Sequence, residues 1–189
     1  MMVYVIAGFD TTANTLSFAL REIAMEPEEQ AKLRIAFRKA ADPESGRNCP
    51  KLRMVVKEIL RLHPSAALGS VRQLVKDLVL PHTHKVIPKG SIIKTNYYVI
   101  QRDENLYEDP DMFKPSRWEN PTREQSMSLL TFSLGRRSCQ GQALANAEMY
   151  EILYKLIRNF HFDIVEKGEP HSVLLFKPVG TVLSARIVN

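Results

Sequence analysis

Phe132-Ser133-Leu134-Gly135-Arg136-Arg137-Ser138-Cys139-Gln140-Gly141 stands directly ahead of a strongly helical stretch, Gln142 to Asn159. That helix carries Leu144, Ala147, Leu153, Leu156 and Ile157 on its apolar side. A cysteine just before a helix N-terminus meets free backbone N–H groups and the positive end of the helix dipole, which favour thiolate over thiol. Arg136 and Arg137 push the same way. Gly135 and Gly141 permit a tight turn and the close approach of a flat ligand to the main chain. Such a thiolate can act as nucleophile, redox centre or metal ligand, and a nucleophile needs a histidine base that nothing nearby supplies. A lone cysteine is ordinarily a small buried apolar residue. The spacing Phe-x-x-Gly-x-Arg-x-Cys-x-Gly, met by Phe132, Gly135, Arg137, Cys139 and Gly141, sets this one apart.

Outward from the loop, apolar periodicity predicts a helix over residues 3–25, with Val3, Ile6, Phe9, Ala13, Leu16, Leu20 and Ile23 recurring at three or four. Pro27 ends it and opens a second helix reaching about Ala40, acidic at its start and basic at its end. On that helix Arg34 reads as a surface cation. A turn cluster over Asp42–Asn48 precedes a third helix, Pro50 to Leu62. Beyond His63-Pro64 the texture changes to short runs separated by Pro or Gly: Gly69–Leu74, Leu78–Leu80, Lys85–Ile87 and Ile92–Asn96. Residues 105–125, with Pro110, Pro115 and Pro121, read as an ordered meander. The tail reads as strands at Phe162–Val165, Val173–Phe176 and Thr181–Val188. The expected fold class is mainly α with a minor β component.

Composition narrows the function classes. The chain has 189 residues, 44% hydrophobic and 25% charged, close to a globular average, which argues against disorder and fibrous repeats. The net charge of +5 is scattered, not gathered on one stripe, and the aromatics Phe132 and Trp118 lie in motifs of another kind. No nucleic-acid partner is expected. Two cysteines, Cys49 and Cys139, with no CxxC pair argue against a disulfide framework and a structural zinc site. No apolar run approaches the roughly 18–20 residues that span a bilayer. The opening Met1–Phe9 is apolar but lacks the basic flank and cleavage site of a signal peptide.

Three further constellations carry chemistry. In Ala7-Gly8-Phe9-Asp10-Thr11-Thr12 a glycine costs the helix about 1 kcal/mol relative to alanine. Thr11, one turn beyond Ala7, is placed to return its hydroxyl to the Ala7 carbonyl, leaving a groove with an acid and an alcohol beside it. Glu58-Ile59-Leu60-Arg61 puts a carboxylate and a guanidinium on one helix face, and on a surface such a pair contributes only a few tenths of a kcal/mol. Phe113-x-Pro115-x-Arg117-Trp118 offers another arginine from the meander, and Arg72 reads as a strand-edge charge.

Together, in this order, these segments resemble the C-terminal part of the cytochromes P450. The resemblance implies that residues 1–189 form part of one domain. Residues 1–25 would be a remnant of the oxygen-binding helix, 50–63 the Glu-x-x-Arg helix, 105–125 the meander, 132–141 the haem-thiolate loop and 142–160 the final long helix, whose start is Leu144-Ala145-x-x-Glu148. Cys139 would be the axial ligand of haem iron, with haem b as the cofactor. Phe132, Gly135, Arg137 and Gly141 would form the rest of the haem-binding loop, and Arg72 and Arg137 would pair with the propionates. Asp10 would deliver protons and Thr11 would hold the reduced dioxygen by a hydrogen bond. Glu58, Arg61 and Arg117 would form a structural triad positioning the loop. Ala67–Ser70 and the turn around Lys177–Gly180 would correspond to substrate-contacting segments.

The implied activity is monooxygenation of a small apolar organic substrate with dioxygen, fed by an electron-donating reductase or ferredoxin-type protein. Arg136, with Arg53 or Lys57, would steer an acidic redox partner. Complete family members are more than twice this length, so the alternative is a truncated, non-catalytic product with exposed apolar faces. A full-length form would sit on the cytoplasmic face of the endoplasmic reticulum, held only through an N-terminal part preceding residue 1.

Overall fold

Proline and the helix dipole set the first boundaries. The computed structural model describes residues 2–39, 45–172 and 175–188, and the side chains of residues 2–4, 6 and 172 fall outside that description. Helix α1 spans Met2–Met25, and Pro27 begins α2, Pro27–Lys39, with Glu28 and Glu29 in its first turn and Arg38 and Lys39 in its last. Of the expected turn cluster, Asp42, Pro43 and Glu44 lie outside the described residues, as do the side chains of Val3 and Ile6. Helix α3, Pro50–Leu62, has proline in its first turn, where a missing N–H costs nothing.

The core forms where these helices meet the long α6, Gln142–Asn159. Phe18 and Ile23 of α1, Leu33 and Phe37 of α2, Leu52, Val55 and Ile59 of α3, and Met149, Leu153 and Ile157 of α6 share one buried cluster. Each such side chain contributes about 1.5–3 kcal/mol on burial. Cys49, just ahead of α3, is buried in the same cluster, the ordinary fate of a cysteine.

Among the described residues the β component is four separate two-stranded antiparallel pairs. Strand β1, Val71–Gln73, pairs with β4, Ile92–Lys94, and β2, Leu78–Val79, with β3, Val86–Ile87. Strand β5, Phe160–Glu166, follows α6 without a break and pairs with β8, Val182–Ile187. Between them β6, Glu169–Ser172, pairs with β7, Phe176–Val179. Short helices α4, Tyr97–Ile100, and α5, Arg123–Ser128, and a 3-10 turn at Pro115–Trp118 complete the chain.

Three expectations change. The strand expected at Val173–Phe176 is displaced: Val173 and Leu174 lie outside the described residues, Leu175 is in a bend, and Phe176 starts the strand. Its partner β6 escaped notice because Pro170 and Pro178 mark both strands as broken, although in this isolated pair they simply face each other. Of the run expected over Gly69–Leu74 only Val71–Gln73 is strand, and Arg72 stands at the middle of β1 and not at its edge. Arg34 is no free surface cation. It donates to the Ile157 and Phe160 carbonyls and to the fully buried Gln30, tying α2 to the α6–β5 junction.

Candidate functional site

The cysteine loop is closed by its own backbone. Cys139 N–H donates to the Phe132 carbonyl at 2.8 Å, and a 3-10 turn over Gly135–Arg137 fills the excursion between them. Gly135 has φ +70°, a conformation that side chains resist, so glycine is favoured there. Gly141 is different: its φ is −82°, and a Cβ there would meet only Cys139 Sγ at an ordinary 3.9 Å. The chain's own backbone therefore does not demand glycine at 141; a flat group lying over the sulfur would. Cys139 is solvent-exposed, three residues before Gln142, the first residue of α6.

The sulfur opens on a cleft of about 300 Å³ whose opposite wall is α1. Ala7, Thr11 and Thr15 line it from the helix, Ser65 and Gly69 from the segment after α3, and Phe132, Arg137 and Cys139 from the loop. Thr11 donates its hydroxyl proton to the Ala7 carbonyl at 2.6 Å, as the spacing predicts. Thr15 Oγ1 reaches the Thr11 carbonyl at 2.8 Å and lies 2.9 Å from Ser65 Oγ, which is itself 3.1 Å from that carbonyl. The donor set fits the haem that the resemblance implies. A soft sulfur faces a largely apolar hollow, and one guanidinium stands ready for a carboxylate.

Not every expected site residue reaches this cleft. Asp10 is exposed and absent from its lining, although its neighbour Thr11 is part of it. Arg72 is also exposed, with Nη1 on the Val71 carbonyl. Gly135 lines a second hollow of about 350 Å³ on another side of the loop, together with Lys57, Ser138 and Gln142. Of the expected substrate-contacting segments, Ala67–Ser70 contributes Gly69 and Ser70, whereas Lys177–Gly180 contributes nothing to the lining.

The carboxylate–guanidinium triad is assembled and buried. Glu58 and Arg61 are both fully buried and joined twice, Arg61 Nε to Glu58 Oε2 at 3.0 Å and Nη2 to Oε1 at 2.8 Å. Arg117 Nε donates to the same Oε1 at 2.9 Å. A surface pair of this spacing contributes little, but these groups lie in the interior, where only complete pairing offsets desolvation. Pairing is complete. Arg61 Nη1 reaches the Gln101 and Pro110 carbonyls and Nη2 the Met112 carbonyl, so all five guanidinium N–H groups are engaged. Glu58 also accepts from Trp118 Nε1 and from the Lys114 backbone N–H. The indole and the carbonyls were missed in the sequence; Trp118, directly after Arg117, was the available signal.

A second buried polar group sits where α1 passes the end of α3. His63 stacks on Phe18, ring centroids 4.0 Å apart and planes 4° from parallel, and its Nε2 lies 2.9 Å from Glu22 Oε1. Arg21 pairs with the same carboxylate. Burial lowers the imidazole pKa, against the opposing pull of Glu22. Burial raises that of Glu22, but the hydrogen bond from His63 and the charges of His63 and Arg21 outweigh it, and the carboxyl ends below its ordinary value.

Comparison with known proteins places the chain in one family. The family described as Cytochrome P450 matches residues 1–185. The chain is 36% identical over 188 residues to human 25-hydroxyvitamin D-1 alpha hydroxylase, mitochondrial, covering 94% of this chain and 35% of that protein. It is 33% identical to the cholesterol side-chain cleavage enzyme, mitochondrial, of Oncorhynchus mykiss, covering 87% and 32%. It is 34% identical to human cytochrome P450 4F8, covering 94% and 38%. The chain thus spans about a third of the length of the curated relatives it matches. Two of these names are mitochondrial, and the narrower expectation of the endoplasmic reticulum has no support from them. Among the described residues no helix is long and apolar enough to cross a membrane.

Proposed function

The chain belongs to the cytochrome P450 family, and on that premise we propose that it provides the thiolate side of a haem b monooxygenase acting on a small apolar organic substrate. The observation that carries this reading is that Cys139 and Thr11, 128 residues apart in sequence, line one cleft. Cys139 would hold the haem iron through its thiolate, Phe132, Gly135 and Gly141 shape the loop around the sulfur, and Arg137 would pair with a propionate. Haem bound there supplies dioxygen reduction, and a thiolate ligand favours O–O cleavage.

The chain's own residues divide the remaining work. Thr11 has committed its proton to Ala7, so its oxygen presents lone pairs and holds a donor in the cleft. Asp10, on the exposed side of the same turn, takes protons from solvent and passes them toward Thr11. Arg72, in β1, supplies a second guanidinium for a propionate once its side chain leaves the Val71 carbonyl. The triad of Glu58, Arg61 and Arg117 holds the loop without touching the reacting atoms. Exposed Arg53, Lys57 and Arg136 suit an acidic electron donor of the reductase or ferredoxin type. The apolar lining of the cleft suits an apolar substrate.

A second reading, binding without catalysis by this chain alone, is favoured by one observation. On α1, Val5 is 63% and Phe9 72% exposed, an apolar face without cover. One experiment tests the site on which both readings rest. The purified chain is titrated with haem, and the reduced carbon-monoxide spectrum is recorded beside that of Cys139→Ser. A thiolate-type Soret band in the chain, lost in the variant, supports the thiolate site that both readings share, and its absence from the native chain overturns it for this polypeptide; oxygenated product from the loaded chain, reductant and dioxygen separates the monooxygenase reading from binding alone.

A further inference from the structure

We propose that Gln101 is a positioning residue that fixes the cysteine loop to the end of α3. Gln101 follows α4 and is fully buried. Its side-chain amide uses its whole hydrogen-bonding capacity on two different parts of the fold. Nε2 donates to the Leu60 carbonyl at 3.0 Å and the Arg61 carbonyl at 2.9 Å. Oε1 accepts from the Leu130 backbone N–H at 2.7 Å and lies 3.2 Å from Thr131 Oγ1. The assignment of nitrogen and oxygen is forced, because two carbonyls need a donor on one side and an amide N–H needs an acceptor on the other.

The last four carbonyls of an α-helix have no partner within it. In α3 all four are satisfied: Ile59 by His63 N–H, Leu60 and Arg61 by Gln101, and Leu62 by Arg102 Nη2. The residue that completes the helix end is thus the one that grips Leu130. From there the path to the sulfur is short. Ser133 N–H returns to the Leu130 carbonyl at 2.6 Å, and Cys139 N–H closes on Phe132 at 2.8 Å. Thr131 adds a parallel tie, its hydroxyl reaching the Leu60 carbonyl at 2.6 Å. The backbone carbonyl of Gln101 meanwhile accepts from Arg61 Nη1 at 2.9 Å, so the buried ion cluster and the loop are joined through this one residue.

The link to iron rests on the proposed haem site, but the positioning role is measurable without haem. Amide hydrogen exchange of the apo chain is the first measurement, with Leu33 of the core as internal reference. The Leu130 N–H is expected among the slowly exchanging amides, and exchange as fast as that of an exposed loop amide overturns the proposal. In Gln101→Met, similar in length but unable to bond, Leu130 and Cys139 are expected to exchange at least ~10-fold faster while Leu33 is unchanged. Gln101→Glu keeps the acceptor for Leu130 and loses the donors to α3, so protection of Leu130 is expected to be partly kept. Equal protection of Leu130 in all three proteins overturns the assignment.

The second measurement is the reduced carbon-monoxide spectrum of haem-loaded protein, read as the ratio of thiolate-type to neutral-thiol-type Soret bands. That ratio is expected to fall in Gln101→Met and to recover in part in Gln101→Glu. If the native chain takes up no haem, the proposed function fails and the exchange result still decides the role of Gln101.

Discussion

Trp118 Nε1 donates to Glu58 Oε2 at 2.8 Å, joining residues 60 apart in sequence. The indole completes a cage in which one carboxylate is held by two guanidinium groups, an indole and a backbone amide. A carboxylate this deeply buried is tolerable only when every partner is present.

Removing members of the cage therefore has graded costs. Arg61→Met leaves Glu58 short of its closest cation and is expected to destabilise by about 3–5 kcal/mol. Trp118→Phe removes one donor to a charged acceptor and is expected to cost about 1–3 kcal/mol. Arg117→Ala is expected between these two, and Arg38→Ala, at the exposed end of α2, close to zero. Urea midpoints of the four variants test the order. Equal losses for Arg117→Ala and Arg38→Ala would remove the meander arginine from the cage.

Stability should fall as the solution is acidified from pH 8 to 5. His63 has a lowered pKa when folded, so the unfolded chain takes up a proton first, below the ordinary histidine value of 6.5. Glu22 is also lowered when folded and reinforces the loss at more acid pH, below its ordinary 4.5. His63→Phe keeps a ring against Phe18 and removes the titrating group. The slope of unfolding free energy between pH 7 and 5 is expected to flatten in the variant, and an unchanged slope would place the titration elsewhere.

Two glycines with positive φ separate strain from crowding. At Gly69, φ +67°, a Cβ would lie 1.7 Å from the Thr95 carbonyl oxygen, whereas at Gly90, φ +88°, it would meet nothing within 4 Å. Gly90→Ala is expected to cost about 1–2 kcal/mol from backbone strain alone. Gly69→Ala adds overpacking, for a total of about 2–4 kcal/mol, and because Gly69 lines the cleft it should also weaken haem uptake. Thermal melts of both variants, with haem titration, check the difference.

Thr11→Ala removes the hydroxyl from the cleft while leaving the helix residue itself in place. In a form of the protein that turns over, reducing equivalents are expected to shift from product to hydrogen peroxide. Simultaneous measurement of electron uptake, product and peroxide tests this; unchanged coupling would take Thr11 out of the proton path.

Much of the fold was legible in the chain because its helices are bounded by strong local signals. Pro27 and Pro50 mark helix starts, and α6 runs from Gln142 to Asn159 as its periodicity predicts. The short elements were less legible. Helix α4 is four residues long, too short for a period to show, and β6–β7 pairs through prolines. In the site, Cys139, Thr11 and the Glu58–Arg61–Arg117 set were visible because their side chains are chemically distinctive. Their partners at Pro110, Met112 and Gln101 are backbone carbonyls, which any residue supplies, so no sequence signal points to them. Asp10 was visible too, yet lies outside the cleft, because helical geometry turns adjacent residues about 100° apart.

The bond from Cys139 N–H to the Phe132 carbonyl has a consequence for divergence. Both ends of the excursion are pinned to each other, so the sulfur's place is inherited from this backbone closure and the turn at Gly135 more than from the side chains between them. Leu134, Arg136 and Ser138, outside the cleft lining, are then free to change charge or side chain toward an electron donor without moving the sulfur, while Gly135 keeps its positive φ and Arg137 its place in the cleft. Under the proposed function, partner choice and the thiolate's position can then evolve as separate traits on one short stretch of chain.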